Sequence, residues 1–322
     1  MKQFFVVVFG GLAAIGIGVG IAYGGSYAWR SLKPRMAAFR LPSFSAAVTS
    51  AVTPIDGTSI SGVRRTIRYT ASEEENLIEA AAQVLPAASQ KGVTAQAYLI
   101  HNLTTGSVVM GHNTDQALPI ASVSKLATAV VARKVLSADD RVTITRGIMS
   151  TYGNTALFKV GETLKASDLL YPLLMVSSND AAEAFAQEYG RAAFMRAMNE
   201  WAQSIGAYRT YFADPSGLSP KNVSTVHDIS LMIDWIRKND PTILETSLLK
   251  TKTIRSHTWV NPTHFLSWSY YSGGKNGYTS EANHTSVALF TLGKNRQVYA
   301  MVVLNSKNRD ADMLKLLGKV AE

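Results

Sequence analysis

The stretch Pro119-Ile120-Ala121-Ser122-Val123-Ser124-Lys125 is followed by an apolar pattern over residues 126–131 that is typical of a buried helix. Ser122 and Lys125 are three residues apart, and on a helix this spacing places a hydroxyl and an amine on one face within contact distance. Such a lysine can accept the serine proton when burial or a neighbouring cation lowers its pKa. The stretch therefore predicts Ser122 as a nucleophile and Lys125 as its base.

A Ser-x-x-Lys spacing alone is a weak signal, because about one copy is expected by chance in a chain of this length. Ser247-Leu248-Leu249-Lys250 is such a second copy. Two later motifs distinguish the first copy. Ser177-Ser178-Asn179 falls between two predicted helical stretches, and Lys275-Asn276-Gly277 falls at the start of a predicted strand. The ordered set Ser-x-x-Lys, Ser-x-Asn, Lys-x-Gly is the pattern of the penicillin-recognising serine enzymes.

Periodicity in the rest of the chain predicts an α+β fold. Strands are predicted at residues 95–100, 107–110, 277–292 and 297–304. Helices are predicted within residues 122–187 and at 191–205, 226–237 and 309–320. Strands at both ends of a helical middle are typical of the α+β class.

Composition excludes several classes of protein. The formal net charge of +9 favours anionic partners such as a polyanionic cell wall, acidic lipid or nucleic acid. No nucleic-acid-binding signature is present, so we expect no nucleic-acid partner. The absence of cysteine excludes thiol nucleophiles, and the histidine spacing predicts no metal site and no cofactor. His227-Asp228 follows Thr225 as in a helix start, which argues against a Ser-His-Asp triad.

With these motifs the chain resembles the low-molecular-mass penicillin-binding proteins, the D-alanyl-D-alanine carboxypeptidases and endopeptidases of peptidase family S11. The resemblance extends from about residue 95 to the C-terminus and implies a β-lactamase/D,D-peptidase-like fold, an antiparallel sheet flanked by helices with a helical subdomain. The stretches that carry it are Pro119-Ile120-Ala121-Ser122, Asp168-Leu169-Leu170, Ser178-Asn179-Asp180-Ala181-Ala182, Asp214-Pro215-Ser216-Gly217-Leu218, Asn222-Val223-Ser224-Thr225 and Lys275-Asn276-Gly277-Tyr278-Thr279.

The resemblance implies a role for each catalytic residue. Ser122 attacks the carbonyl carbon of a D-Ala-D-Xaa peptide bond, and Lys125 is its general base. Ser177 relays the proton to the leaving amine, while Asn179 positions Lys125 and the substrate amide. The backbone amides of Ser122 and Tyr278 form an oxyanion hole, worth about 3 kcal/mol per donor. Water then hydrolyses the acyl-enzyme.

The resemblance also implies that Lys275, Asn276, Gly277 and Tyr278 bind the substrate, together with Arg309 near the C-terminus. Lys275 supplies positive charge that lowers the pKa of the Ser177 and Lys125 system. The family normally has threonine where this chain has Asn276, and that threonine hydroxyl binds the terminal carboxylate of the substrate. An amide can still donate a hydrogen bond, but it is bulkier and reaches differently.

The implied function is a serine-type D-alanyl-D-alanine carboxypeptidase that acts on peptidoglycan stem peptides, with β-lactams as covalent inhibitors. Because Asn276 departs from the family, two alternatives stay open: a D,D-endopeptidase that cleaves peptidoglycan cross-links, and a weakly active wall-binding scaffold. A class A β-lactamase would share the fold and nucleophile. Its Glu-x-x-Leu-Asn element is not apparent between Ser177 and Lys275.

The N-terminal region predicts attachment to a membrane. No charged residue occurs from Gln3 to Trp29, a run long enough to span a bilayer and longer than a signal-peptide core of roughly 7–15 residues. We expect a transmembrane signal anchor at residues 1–30, a linker at 31–71 and the serine D,D-peptidase catalytic domain at 72–322.

The expected topology is a single pass through the cell membrane. Lys2 lies before the apolar run, while Arg30, Lys33, Arg35 and Arg40 lie after it, so the positive-inside rule alone would leave the catalytic domain in the cytoplasm. The implied substrate, peptidoglycan, lies outside the cytoplasm, and this outweighs the charge distribution. We therefore expect the catalytic domain on the extracytoplasmic, periplasmic or cell-wall side.

Overall fold

A computed structural model describes residues 92–321 of the chain. The predicted anchor, the linker and residues 72–91 of the predicted catalytic domain lie outside the described residues. Within residues 92–321, the helices are too short or too polar to cross a bilayer.

The described part of the chain alternates short strands and helices. The strands are β1 (Ala97–Asn102), β2 (Ser107–His112), β3 (Leu118–Pro119), β4 (Arg141–Thr143), β5 (Thr163–Lys165), β6 (Val223–Ser224), β7 (Thr251–Ile254), β8 (His257–Val260), β9 (Tyr271–Thr279), β10 (Asn283–Leu292) and β11 (Gln297–Ser306). The helices are α1 (Lys125–Val135), α2 (Arg146–Met149), α3 (Ala166–Met175), α4 (Asn179–Tyr189), α5 (Arg191–Ser204), α6 (Val226–Asn239), α7 (Thr242–Ser247) and α8 (Arg309–Ala321). Two 3₁₀ turns lie at Ala121–Ser124 and His264–Ser267.

Five strands form one antiparallel sheet in the order β2-β1-β11-β10-β9, so the two ends of the described chain meet in its centre. Because successive side chains of a strand point to opposite faces, β10 divides its residues between two layers. Val287 and Leu289 join the core shared with α1 and α6, whereas Ala288 and Phe290 join the core under α8. Burial on both faces explains why residues 287–290 of this strand are apolar without alternation.

The predicted α+β class is confirmed, but two boundaries were wrong. Residues 277–292, predicted as one strand, are the end of β9, a turn at 280–282 and then β10. Lys275 therefore lies within β9, not at the start of a strand. The predicted helical middle is also interrupted, because β4 and β5 form a small hairpin around α2 and an irregular segment at residues 150–162.

Two helix starts follow the capping chemistry of the sequence. The Ser178 hydroxyl accepts a hydrogen bond from the Ala181 amide at 3.1 Å at the start of α4. The Thr225 hydroxyl accepts one from the Asp228 amide at 3.0 Å at the start of α6, as predicted. The Asp228 carboxylate accepts a hydrogen bond from the Thr210 hydroxyl at 2.9 Å, so Asp228 links the start of α6 to the preceding loop.

The loop at residues 213–219 lies directly against the 3₁₀ turn that carries Ser122. The Asp214 carboxylate accepts hydrogen bonds from the amides of Ser216 and Gly217, each at 2.7 Å, and from the Ser219 amide at 2.7 Å, which closes the loop tightly. Gly217 has a φ of +85°, and a Cβ added there would lie 1.9 Å from the carbonyl oxygen of Ala121. Only glycine permits both this backbone conformation and this approach.

We predict that Gly217→Ala lowers the free energy of unfolding much more than Gly161→Ala does. Both glycines have a φ of +85°, but an added Cβ at Gly161 would meet nothing within 4 Å. Gly161→Ala should cost about 1–2 kcal/mol for the left-handed conformation. Gly217→Ala should cost about 2 kcal/mol more, because backbone atoms must also move. Urea unfolding of the two variants measures the difference, and equal losses would contradict the close approach.

Candidate active site

The 3₁₀ turn Ala121–Ser124 leads directly into α1, whose first residue is Lys125. The Nζ atom of Lys125 lies 2.9 Å from the Oγ atom of Ser122, so the predicted pair is in contact. Ala121 has a φ of 47°, an uncommon conformation for a residue with a side chain. The Ser124 hydroxyl donates to the Ala121 carbonyl at 2.8 Å and holds this turn, which presents Ser122 half-buried beside the amine.

Lys125 is fully buried, and its amine is surrounded by oxygen atoms. Nζ donates to Oδ1 of Asn179 at 2.7 Å and to the carbonyl oxygen of Ser216 at 2.6 Å. A neutral amine has two N–H groups and one lone pair, so these two acceptors direct the lone pair toward Ser122. Burial, aided by the positive charge of Lys275, holds the pKa of Lys125 well below its usual value of 10.5. The arrangement suits a general base.

Asn179 is held from both sides of its amide. Its Oδ1 accepts from Lys125, and its Nδ2 donates to the carbonyl oxygen of Tyr152 at 2.7 Å. Tyr152 belongs to the irregular segment 150–162, which is tied to β8 by a hydrogen bond from the Trp259 indole to the Ala156 carbonyl at 3.1 Å. The β7–β8 hairpin, which the sequence did not reveal, thus supports the base through this segment.

Ser177 lies between α3 and α4, two residues before Asn179, as predicted. Its backbone is left-handed, with a φ of 58°. Its buried hydroxyl has no hydrogen-bond partner within residues 92–321, so it does not contact Lys125 directly. A left-handed backbone and a buried hydroxyl without a hydrogen-bond partner are typical of functional positions. Its role as a proton relay stays a prediction.

Strand β9 brings the third motif against Ser122. A Cβ added at Gly277 would lie 2.8 Å from the backbone nitrogen of Ser122, so only glycine allows the strand to lie this close. Lys275, two residues earlier, is 6% exposed and donates to the carbonyl oxygen of Asn276 at 2.8 Å. Burial, with a smaller effect of the Arg309 charge, lowers the pKa of Lys275 to about 7. Tyr278, whose amide is the second predicted oxyanion donor, follows with an exposed side chain.

Asn276 and Arg309, the two other members of the predicted substrate site, lie within β9 and at the start of α8. The Asn276 Oδ1 accepts a hydrogen bond from the Ser286 hydroxyl of β10 at 2.7 Å. Arg309 begins α8, and its Nε donates to Asp310 at 2.8 Å. Because its charge lowers the pKa of Lys275, Arg309 lies within electrostatic range of the site.

Comparison with known proteins agrees with this geometry. The family description that matches residues 85–308 is Peptidase S11, D-alanyl-D-alanine carboxypeptidase. The chain belongs to peptidase family S11. A D-alanyl-D-alanine endopeptidase of Pseudomonas aeruginosa is 33% identical to this S11 chain over 232 residues, which cover 67% of this chain and 73% of the relative.

Solved structures confirm the D,D-peptidase fold of this S11 protein. The D-alanyl-D-alanine carboxypeptidase of Mycobacterium tuberculosis H37Rv superposes with a TM-score of 0.66 at 26% identity, covering 74% of this chain and 95% of that one. Penicillin-binding protein D2 of Listeria monocytogenes, in its cefotaxime-bound form, gives a TM-score of 0.63 at 26% identity, covering 70% and 97%. The predicted resemblance to low-molecular-mass penicillin-binding proteins is thereby confirmed.

The second Ser-x-x-Lys copy has a different environment in this S11 fold. Ser247 ends α7 and is buried, and its hydroxyl donates to the Leu244 carbonyl at 2.7 Å. Lys250 is exposed. With its lysine in solvent, this copy lacks the buried amine that a general base requires, which agrees with its interpretation as a chance match.

The stretch 214–218 carries part of the family resemblance, but the sequence indicates no role for it. In the structure its Ser216 carbonyl is one of the two acceptors that orient the Lys125 amine. The Asn222 amide fastens the loop to the nucleophile turn, donating to the Asp214 carbonyl at 2.8 Å and to the Ser124 hydroxyl at 3.0 Å. The sequence feature that indicates this loop is the run of Asp, Pro, Ser and Gly at residues 214–217, which is typical of a tight turn.

No group of His, Asp or Glu side chains suited to a metal ion occurs in residues 92–321. For the chain as a whole, the absence of a metal site stays a prediction.

We predict that Lys275→Met moves the rising limb of the pH–acylation profile to higher pH. The Lys275 charge helps to lower the pKa of Lys125, so its removal raises that pKa and the base becomes neutral only at higher pH. The acylation rate at neutral pH should fall at least about tenfold. The measurement is the second-order rate of labelling by a fluorescent penicillin across pH. Lys238→Met, at an exposed lysine paired with Asp234, is the control and should leave the profile in place.

Proposed function

We propose that this S11 protein is a serine-type D-alanyl-D-alanine carboxypeptidase that acts on peptidoglycan stem peptides through an acyl-enzyme on Ser122. One observation carries the proposal: a buried lysine amine, with a lowered pKa, lies 2.9 Å from a half-buried serine hydroxyl. No other base is required, because Lys125 already contacts the nucleophile.

The proposed reaction assigns one role to each residue of the site. Lys125 takes the proton of Ser122 as Oγ attacks the carbonyl carbon of the D-Ala-D-Xaa bond. The backbone amides of Ser122 and Tyr278 donate to the oxyanion, while Ser177 passes the proton to the leaving amine. The C–N bond breaks, the D-amino acid leaves, and water, deprotonated by Lys125, hydrolyses the ester. Lys275, whose pKa is lowered to about 7, places positive charge near the base while it is protonated.

A D,D-endopeptidase is the second candidate. The Pseudomonas aeruginosa relative bears that name, and Asn276 replaces the hydroxyl with which the family binds a terminal carboxylate. Inhibition by β-lactams is proposed for either activity, in line with the cefotaxime-bound neighbour from Listeria monocytogenes. A weakly active scaffold that only holds the wall would retain labelling and lose turnover.

We predict that Ser122→Ala abolishes covalent labelling by fluorescent penicillin, because it removes the acylated oxygen. Ser247→Ala, in the second Ser-x-x-Lys copy, should keep the label. Digestion of purified muropeptides, read by mass spectrometry, then separates the candidates: free D-alanine indicates a carboxypeptidase, and cleaved cross-links indicate an endopeptidase. Labelling that survives in Ser122→Ala would refute the nucleophile. Labelling of the wild type with both substrates intact would favour the scaffold.

We also propose that residues 1–30 anchor the protein in the cell membrane by a single pass, with residues 72–322 on the extracytoplasmic side. The uncharged run from Gln3 to Trp29 and the extracytoplasmic position of peptidoglycan support this topology. Protease added to intact spheroplasts should digest the catalytic domain, and deletion of residues 1–30 should move the protein to the soluble fraction. A domain protected until lysis would contradict the topology and the peptidoglycan role together.

A further inference from the structure

We propose that Glu162 and His257 are positioning residues that set which end of the Asn179 amide faces the Lys125 amine. They do so by holding the irregular segment 150–162 in place. The inference rests on the proposed function and deepens it, because it assigns the orientation of a side chain beside the base to a contact that lies outside the catalytic groups.

The orientation of an asparagine amide matters because its two ends have opposite hydrogen-bonding properties. The nitrogen end only donates hydrogen bonds, and the oxygen end only accepts them. The Tyr152 carbonyl can only accept, so its contact at 2.7 Å requires Nδ2 of Asn179 on that side. Oδ1 is thereby directed to the Lys125 amine, 2.7 Å away. The backbone position of Tyr152 therefore sets the orientation of the amide.

Without that carbonyl, the Asn179 amide could turn over and donate to the Lys125 amine. A neutral amine has one lone pair and accepts hydrogen bonds more strongly than it donates them, so an amide N–H would occupy the lone pair that Ser122 needs. An ammonium group has no lone pair and repels the N–H end, so a protonated lysine holds the correct orientation by its own charge. The wrong orientation therefore competes only with the neutral, active form of the base.

The segment 150–162 does not hold its position through its own backbone. Within the described part of the chain, two backbone atoms of residues 152–160 form hydrogen bonds to groups outside the segment, the carbonyl oxygens of Tyr152 and Ala156. Leu157 is left-handed, with a φ of 58°, and its side chain is exposed. This conformation is unfavourable for a leucine, so contacts with the rest of the protein must stabilise it.

The β7–β8 hairpin supplies those contacts. In β8, His257 and Trp259 are buried, and the residue that follows each of them is exposed. The two buried rings stack with their centroids 5.6 Å apart. Phe158 packs edge-on against both, with centroid distances of 5.6 Å and 6.3 Å. The Trp259 indole donates to the Ala156 carbonyl at 3.1 Å, so the middle of the segment is fixed to the hairpin.

Glu162 joins the end of the segment to the same hairpin. Its Oε1 lies 2.6 Å from Nε2 of His257, and its Oε2 accepts from the Lys159 amide at 3.2 Å. An ionised carboxylate can only accept hydrogen bonds, so Nε2 of His257 carries the hydrogen. The side chains are 16% and 8% exposed, respectively, which limits competition by water. The position of this pair reaches Tyr152 through the buried side chains that lie between them.

The test compares the wild-type protein with His257→Ala and His257→Gln. The measurement is the second-order rate of acylation by a fluorescent penicillin across pH, expressed per site that is labelled at completion. In His257→Ala the rate at the high-pH plateau should fall about threefold to tenfold, since the freed amide then favours the wrong orientation. His257→Gln places an N–H near the position of Nε2 and should restore most of the rate. Thr258→Ala, on the exposed face of β8, is the control and should leave the rate unchanged.

The pH dependence distinguishes a change of orientation from damage to the fold. The ammonium form of Lys125 keeps the correct orientation, so rates well below the midpoint of the rising limb should equal those of the wild type. The midpoint should move to lower pH by the logarithm of the plateau loss, about half a pH unit for threefold and about one unit for tenfold. Lys275 and Asp214, the charged groups that act on Lys125, are the same in the variant. A loss that is uniform across pH would overturn the inference.

Two further variants complete the test. In an Asn179→Ala background, read at higher penicillin concentration, there is no amide to orient, so His257→Ala should cause no additional loss. An equal loss in that background would contradict the inference. Glu162→Gln is the milder variant if His257→Ala does not fold. Its side chain keeps the size but has a single acceptor end, so the plateau rate should fall about twofold to threefold with a midpoint at lower pH. An unchanged rate and midpoint in Glu162→Gln would also count against the pair.

Failure of the proposed function would give a different result. A wild-type protein that is labelled by penicillin but hydrolyses neither stem peptides nor cross-linked muropeptides refutes that function, and the acylation rates still test the orientation of Asn179. A wild-type protein that takes no label refutes the nucleophile and this inference together.

Discussion

The active site depends on a single unfavourable arrangement, the burial of the Lys125 amine. A charged ammonium group in this position would lose its hydration, so burial favours the neutral form and holds the pKa of the amine well below its usual value. The structure compensates with two acceptors, from Asn179 and Ser216, which leave the lone pair facing Ser122. These two residues lie far apart in the sequence, and the fold is what holds them around one nitrogen atom.

Much of this site could be predicted from the sequence because each motif is short and the motifs occur in a fixed order. The contact between Ser122 and Lys125 follows from helical spacing alone, and the position of Ser177-Ser178-Asn179 between two helices follows from the capping serine. The strand that carries Lys275 was correctly expected, although its start was placed too late. The turn that separates β9 from β10 has no Asn-Gly or Asp-Gly pair to mark it.

The remaining contacts could not be predicted because they join segments whose proximity only the fold creates. The Ser216 carbonyl is a backbone atom, so no side chain in the sequence indicates its role. The segment that holds Asn179 is irregular, and the hairpin that supports it has strands of only four residues each. Ser286 is one of four consecutive polar residues at the start of β10, so the sequence does not distinguish it. Only the register of β9 with β10 places it opposite Asn276.

β9 is the terminal strand of its sheet, and this position has two opposing consequences: it lets a substrate reach the strand, and it lets another protein molecule pair with it. A peptide substrate must reach this edge, yet an open edge of a sheet can also pair with the edge of another molecule. The composition of the strand limits that hazard. Gly273, Gly274 and Gly277 provide no side chains for an intruding strand to pack against. The same glycines that let the strand approach Ser122 thereby also limit self-association of the protein through this edge of the sheet.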